Sequence, residues 1–125
     1  MTRNAIFRLA LLCMTVAAVH RANAASAVAN DFHGHTVYST SQATKAIAIE
    51  HALATARQRY GAGVRIVAAT DVTGYSAIAF ARKEKGSVLG VALGQASRAQ
   101  AEREAVEACL KAGGTHPVVQ SEWYG

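Results

Sequence analysis

The stretch VLGVALGQASRAQAEREAVEACLKAGGTHPVV, residues 88–119, decides the fold. It reads as strand, capped helix, glycine stop and strand. Ser97 stands three residues before Gln100, the spacing of a capping box in which each side chain satisfies a free N–H of the first turn. Ala101, Ala105, Ala108 and Ala112 then recur at steps of four, three and four, with Val106 and Cys109 beside them, which makes one apolar stripe. Arg103, Glu104, Glu107 and Lys111 fall largely on the other side, and Glu107 precedes Lys111 by four residues, the favourable order for a helical ion pair. Gly113-Gly114 supplies a left-handed stop and Pro117 forbids continuation. A stripe made of alanine lets this helix lie close against a sheet.

Upstream of this stretch, Tyr75 to Ala81 reads as a strand with a small face (Ala77, Ala79, Ala81) and a bulky one (Ile78, Phe80). The run Arg82-Lys83-Glu84-Lys85-Gly86 reads as a hairpin loop leading into a partner strand from Val88 to Leu93. Asp71-Val72-Thr73-Gly74 is a turn by composition. Val64 to Ala69 is an apolar, β-branched strand, and before it a helical pattern runs to Tyr60, with Ala46, Ile49, Leu53, Ala56 and Tyr60 on one face. Its start falls within Thr40 to Thr44, where several capping side chains follow one another. Thr36 to Ser39 is a short candidate strand, and Val118 to Tyr124 a candidate last strand.

A shift of 53 residues superposes the two helices: Thr44 on Ser97, Ala46 on Ala99, Ala48 on Ala101, Ala52 on Ala105, Ala56 on Cys109 and Gly61 on Gly114. These matches predict two similar helix–strand halves around a central hairpin. The expected fold class is α+β, an antiparallel sheet with both helices packed on one face in the order β-α-β-β-β-α-β.

The first residues read as an export signal. Arg3 and Arg8 give a basic start, Leu9 to Val19 is apolar, and small residues follow. The apolar run is too short for a stable membrane anchor. Ala-x-Ala sites end at Ala24, Ala27 and Ala29, and Ala24 lies at the best distance. The expected organisation is a signal peptide over 1–24, a flexible lead-in over 25–35 and a single α+β domain over 36–125. The expected location is periplasmic or secreted, with no membrane span after signal removal. The whole chain has 13 Lys+Arg against 8 Asp+Glu, a net charge of +5. Without Arg3, Arg8 and Arg21 the balance is 10 against 8, or +2, which removes most of the support for a nucleic-acid partner. Cys109 is then the sole cysteine, so no intramolecular disulfide can form.

The block Tyr75-Ser-Ala-Ile-Ala-Phe, a turn, Gly90-Val-Ala-Leu-Gly94, then Ser97-x-Ala99-x-Ala101-x-x-x-Ala105-x-x-x-Cys109 resembles a family of small exported bacterial domains of unknown function. The resemblance covers residues 75 to 119. It implies export and a small α+β fold, and it carries over no reaction. Members of that family often have a second cysteine just after the Gly-Gly stop; Thr115 and His116 stand there in this chain.

The candidate chemistry is sparse. Cys109 lies near a helix C-terminus, where the dipole disfavours a thiolate, and reads as a buried, inert side chain. His33, His35, His51 and His116 include one close pair, whereas firm zinc or copper binding takes three or four converging ligands. Glu102, Glu104 and Glu107 read as ordinary surface pairing, no Gly-x-Ser-x-Gly elbow is present, and the glycines lack the spacing of a phosphate cradle. Gly90 inside a strand marks close helix approach or a bulge. No catalytic, cofactor or metal residues are assigned.

The candidate interaction residues are Arg82, Lys83 and Lys85, which read either as a solvated tip or as a contact for an acidic protein or anionic envelope surface. Trp123 and Tyr124 join them, as either an exposed anchor or closure of the core. The resulting expectation is a non-catalytic exported domain that binds an unidentified extracytoplasmic protein, an inhibitor or immunity-type partner among the possibilities. The alternatives are histidine-based metal binding and a thiol-dependent dimer.

Overall fold

The computed structural model describes residues 23–125. The expected signal peptide lies almost wholly outside the described residues. The elements are β1 (Ala25–Asn30), β2 (Thr36–Gln42), α1 (Lys45–Tyr60), β3 (Arg65–Thr70), β4 (Tyr75–Lys83), β5 (Gly86–Gln95), α2 (Arg98–Lys111) and β6 (Thr115–Tyr124). This is an α+β chain, as expected, and its order is ββαβ twice over.

Each unit builds its own three-stranded antiparallel sheet, ordered β2-β1-β3 and β5-β4-β6. In both, the first strand of the unit is central, its hairpin partner lies on one side and the strand after the helix on the other. The repeat extends to the residues. Ser26-Ala27-Val28-Ala29 in β1 recurs as Ser76-Ala77-Ile78-Ala79 in β4, and Gln42-Ala43-Thr44-Lys45-Ala46 recurs as Gln95-Ala96-Ser97-Arg98-Ala99. Ser41 and Gly94, at matching places before the two helices, both adopt left-handed backbone, with φ of 57° and 64°.

Local chemistry sets the helix boundaries. Oγ1 of Thr44 accepts the N–H of Ile47, and Oγ of Ser97 accepts that of Gln100, both at 3.1 Å. The Gln100 side chain does not close the expected capping box but donates to Glu104 one turn on. At the far end of α2, Gly113 takes a φ of 90° and the N–H of Gly114 returns to the carbonyl of Cys109.

The alanine stripes dock as their small size dictates. Ala48, Ala52 and Ala56 of α1 pack on Ala25, Ala27 and Ala29 of β1, while Ala101, Ala105 and Cys109 of α2 pack on Ala77, Ala79 and Ala81 of β4 and on Ala92 of β5. Alternation along a strand sends the intervening residues to the opposite face. Ser26, Val28, Ser76 and Ile78 are nonetheless buried, although no helix covers them. The two sheets therefore face each other across these residues, with the helices outside. Across the seam, Tyr38 of β2 stacks on Trp123 of β6 with ring centroids 4.5 Å apart, and the Trp123 indole N–H donates to Oγ of Ser26 at 3.4 Å. Backbone bonds between Gly74 and Gly125 tie the chain's last residue to the entry of β4.

Two expectations are corrected. The single sheet with both helices on one face is two sheets, each with its own helix, because both faces of β1 and β4 are apolar or small and each face needs a cover. Residues 25–30, expected within the flexible lead-in, form β1, the buried central strand of the first unit. Only the loop that follows, with Phe32 and Gly34 in left-handed backbone, is exposed over Phe32 to His35.

Candidate functional site

Arg82, Lys83 and Lys85 are exposed at the β4–β5 hairpin, whose tip is Glu84-Lys85 with Gly86 at a φ of 110°. The Lys83 stem lies over Gly113 at the end of α2. Trp123 and Tyr124 divide between their two expected roles. Trp123 closes the seam between the sheets, whereas Tyr124 is 64% exposed and meets Tyr75 edge to face at 4.9 Å. Tyr75 pairs with Tyr124 at one end of β4 and Arg82 pairs with Thr115 at the other. The basic tip and the aromatic pair are thus held roughly 24 Å apart, given about 3.4 Å per strand residue. They form no common surface.

The described histidines do not gather. Among the described residues no group of three or more His, Cys, Asp and Glu could hold a metal ion. His35 has a structural arrangement that spacing alone did not reveal. Its Nδ1 lies 2.7 Å from Oδ2 of Asp31, and its ring stacks on Tyr60 at 4.1 Å. Oδ1 of Asp31 also accepts the backbone N–H groups of His33 and His35 at 2.8 and 2.9 Å. Burial works to raise the Asp31 pKa, but the two backbone N–H bonds and the His35 ring outweigh it and hold the carboxyl at about 2. The Asx-turn signal Asp31-x-x-Gly34 was present in the sequence. The aspartate fastens a hairpin loop and orients a ring.

Cys109 is fully buried, with Sγ 3.9 Å from the carbonyl oxygen of Val88. Burial pushes its thiol pKa up, and a hydrogen bond with the Gly90 backbone offsets this only in part. A thiol so placed has neither the thiolate character nor the access that reactivity requires. Glu122 of β6 raises the pKa of Glu102 of α2, since one carboxyl must be protonated for the two to share a hydrogen bond and two charged ones repel; Arg98, 3.8 Å from Glu122, counters it. This pair lies at the surface beside α2.

Between β3 and β5 lies a cleft of about 340 Å³, walled by Val67 and Ala68 from one sheet and by Phe80, Leu89 and Val91 from the other, and lined also by Phe32 and Gly34 of the loop after β1 and by Val88 and Ala112 beside the end of α2. Asn30 and Ser87 supply its polar groups. Sequence reasoning missed it because the strand that brings Asn30 there reads, in sequence alone, as a lead-in. A smaller cavity of about 260 Å³ beside the Tyr38–Trp123 seam is lined by His35, Tyr60, Ile78 and Ser121. No described helix is long and apolar enough to cross a membrane.

Comparison with protein-family models, with curated proteins and with solved structures gave no match.

Proposed function

We propose that this chain is an exported, non-catalytic domain that acts by binding another protein outside the cytoplasm, with an inhibitor or immunity-type role fitting its size. Export is supported by the basic start, the apolar run and the small residues that follow, and by the resemblance to small exported bacterial domains. The observation that carries the binding reading is β6. It is a ten-residue edge strand that presents Val118 and Tyr124, 63% and 64% exposed, to solvent. An open edge offers a partner both backbone groups and side chains. Pro117 and the two register shifts between β4 and β6 blunt this edge against indiscriminate pairing. The partner then meets Val118 or Tyr124, which stand at opposite ends of β6 and, by their pairing with Phe80 and Tyr75, on opposite faces, rather than an uninterrupted ladder.

Capture from envelope extract tests the reading. The wild-type chain is expected to retain a partner that a Val118→Lys, Tyr124→Lys variant of equal stability does not. A wild-type chain that stays alone and monodisperse in its native setting contradicts it.

A further inference from the structure

We propose that the cleft between β3 and β5 is a binding site for a small amphipathic anion, with an apolar body seated between the sheets and an acidic head held by Arg65 and Arg82. The walls fit the body: Val67, Ala68, Phe80, Leu89 and Val91 line a concave space drawn from both sheets, the usual setting for a small ligand. At about 340 Å³, and with roughly 30 Å³ per water in the liquid, it holds on the order of ten water volumes, which suits a carboxylate of about ten to twelve heavy atoms.

The head is placed by register. Asn30 and Ser87, the polar groups of the cleft, are paired across their ladders with Arg65 and Arg82. Directly paired residues share a face. Alternation along β4 agrees, since Ala77, Ala79 and Ala81 face α2 and Ile78, Phe80 and Arg82 face the other way. Arg65 and Arg82 therefore stand on the cleft-facing side of their strands, each beside a polar residue that lines the cleft. Both are exposed, and neither has an ion-pair partner among the described residues. Asp31, the acid nearest in sequence to Asn30, is engaged by His35 and its own loop. Arginine forks suit a planar carboxylate. An inserted peptide strand fits less well, because β3 and β5 already lie against each other and would have to separate.

The test is amide-resolved NMR titration of the chain with three probes: sodium decanoate below its micelle-forming concentration, decyltrimethylammonium of equal chain length, and vesicles containing phosphatidylglycerol. Decanoate is expected to shift Ala68, Phe80, Leu89 and Val91 saturably, and the cationic analogue to bind at least about tenfold more weakly, as loss of charged hydrogen bonds dictates. An Arg65→Glu, Arg82→Glu variant, altered only at exposed positions, is expected to keep its fold and lose at least about tenfold in decanoate affinity. Val91→Trp, which fills the cleft, is expected to abolish the shifts. Equal affinity for the two decyl probes, shifts confined to other surfaces, or binding to the vesicles without saturable binding of free decanoate would each overturn the proposal.

Discussion

A Cβ on Gly90 would collide with the carbonyl oxygen of Ala105 and lie 2.9 Å from Sγ of Cys109. The absence of a side chain there lets α2 sit directly on β5. Gly90→Ala must push the helix away from the sheet, and overpacking of this kind costs about 1–3 kcal/mol. Urea unfolding of the variant is expected to show a loss at the upper end of that range. Cys109, on the same contact, is expected to be unreactive toward a thiol reagent at about pH 8, near the ordinary thiol pKa, in the native protein and fully reactive in denaturant. Rapid native labelling would contradict its burial. Asp31 gives a pH signature. Its folded pKa lies below the ordinary value of 3.8, at about 2, so the stabilisation it provides is fully present above about pH 4 and is lost as the pH falls toward 2. Asp31→Asn is expected to remove that portion of the acid-induced loss and leave stability less dependent on pH between about 4 and 2.

At the scale of the element, the capped helices, the strands that follow them and the β4–β5 hairpin were legible, because each is bounded by chemistry a single sequence displays: Thr44, Ser97, Gly61, Gly113 and Gly86. β1 was not. Its alanines serve close packing against α1, yet small residues after an apolar run are also what a signal-peptide cleavage region contains. The same letters fit both roles, and only the recurrence of Ser26-Ala-Val-Ala as Ser76-Ala-Ile-Ala separates them. Trp123 was ambiguous for a different reason: whether it closes a core or stands free depends on Tyr38, 85 positions away, and no local pattern carries that pairing. The placement of β1 bears on processing. Cleavage after Ala24 leaves the strand whole, whereas cleavage after Ala27 or Ala29 removes half or nearly all of it. Under the proposed export, N-terminal sequencing of the processed chain is expected to begin at Ala25, and a start at Val28 or Asn30 would contradict the central position of β1.

For the whole molecule, the two ββαβ units depend on one another. Each has a helix on its outer face, but Ser26 and Val28 on one inner face and Ser76 and Ile78 on the other are buried away from those helices, and Trp123 of the second unit donates to Ser26 of the first. A fragment spanning residues 74–125 is therefore expected to lack a cooperative thermal transition, although it contains every element of the second unit. The same opposition creates the cleft: a single sheet with two helices on one side would leave Phe80, Leu89 and Val91 on an open surface with no facing wall. The most direct measurement is a nuclear Overhauser experiment on the seam. Face-to-face sheets predict cross-peaks between the Tyr38 ring and the Trp123 indole and between the indole N–H and Ser26, with none between α1 and α2. Helix–helix cross-peaks without the Tyr38–Trp123 contact would contradict the arrangement and remove the cleft with it.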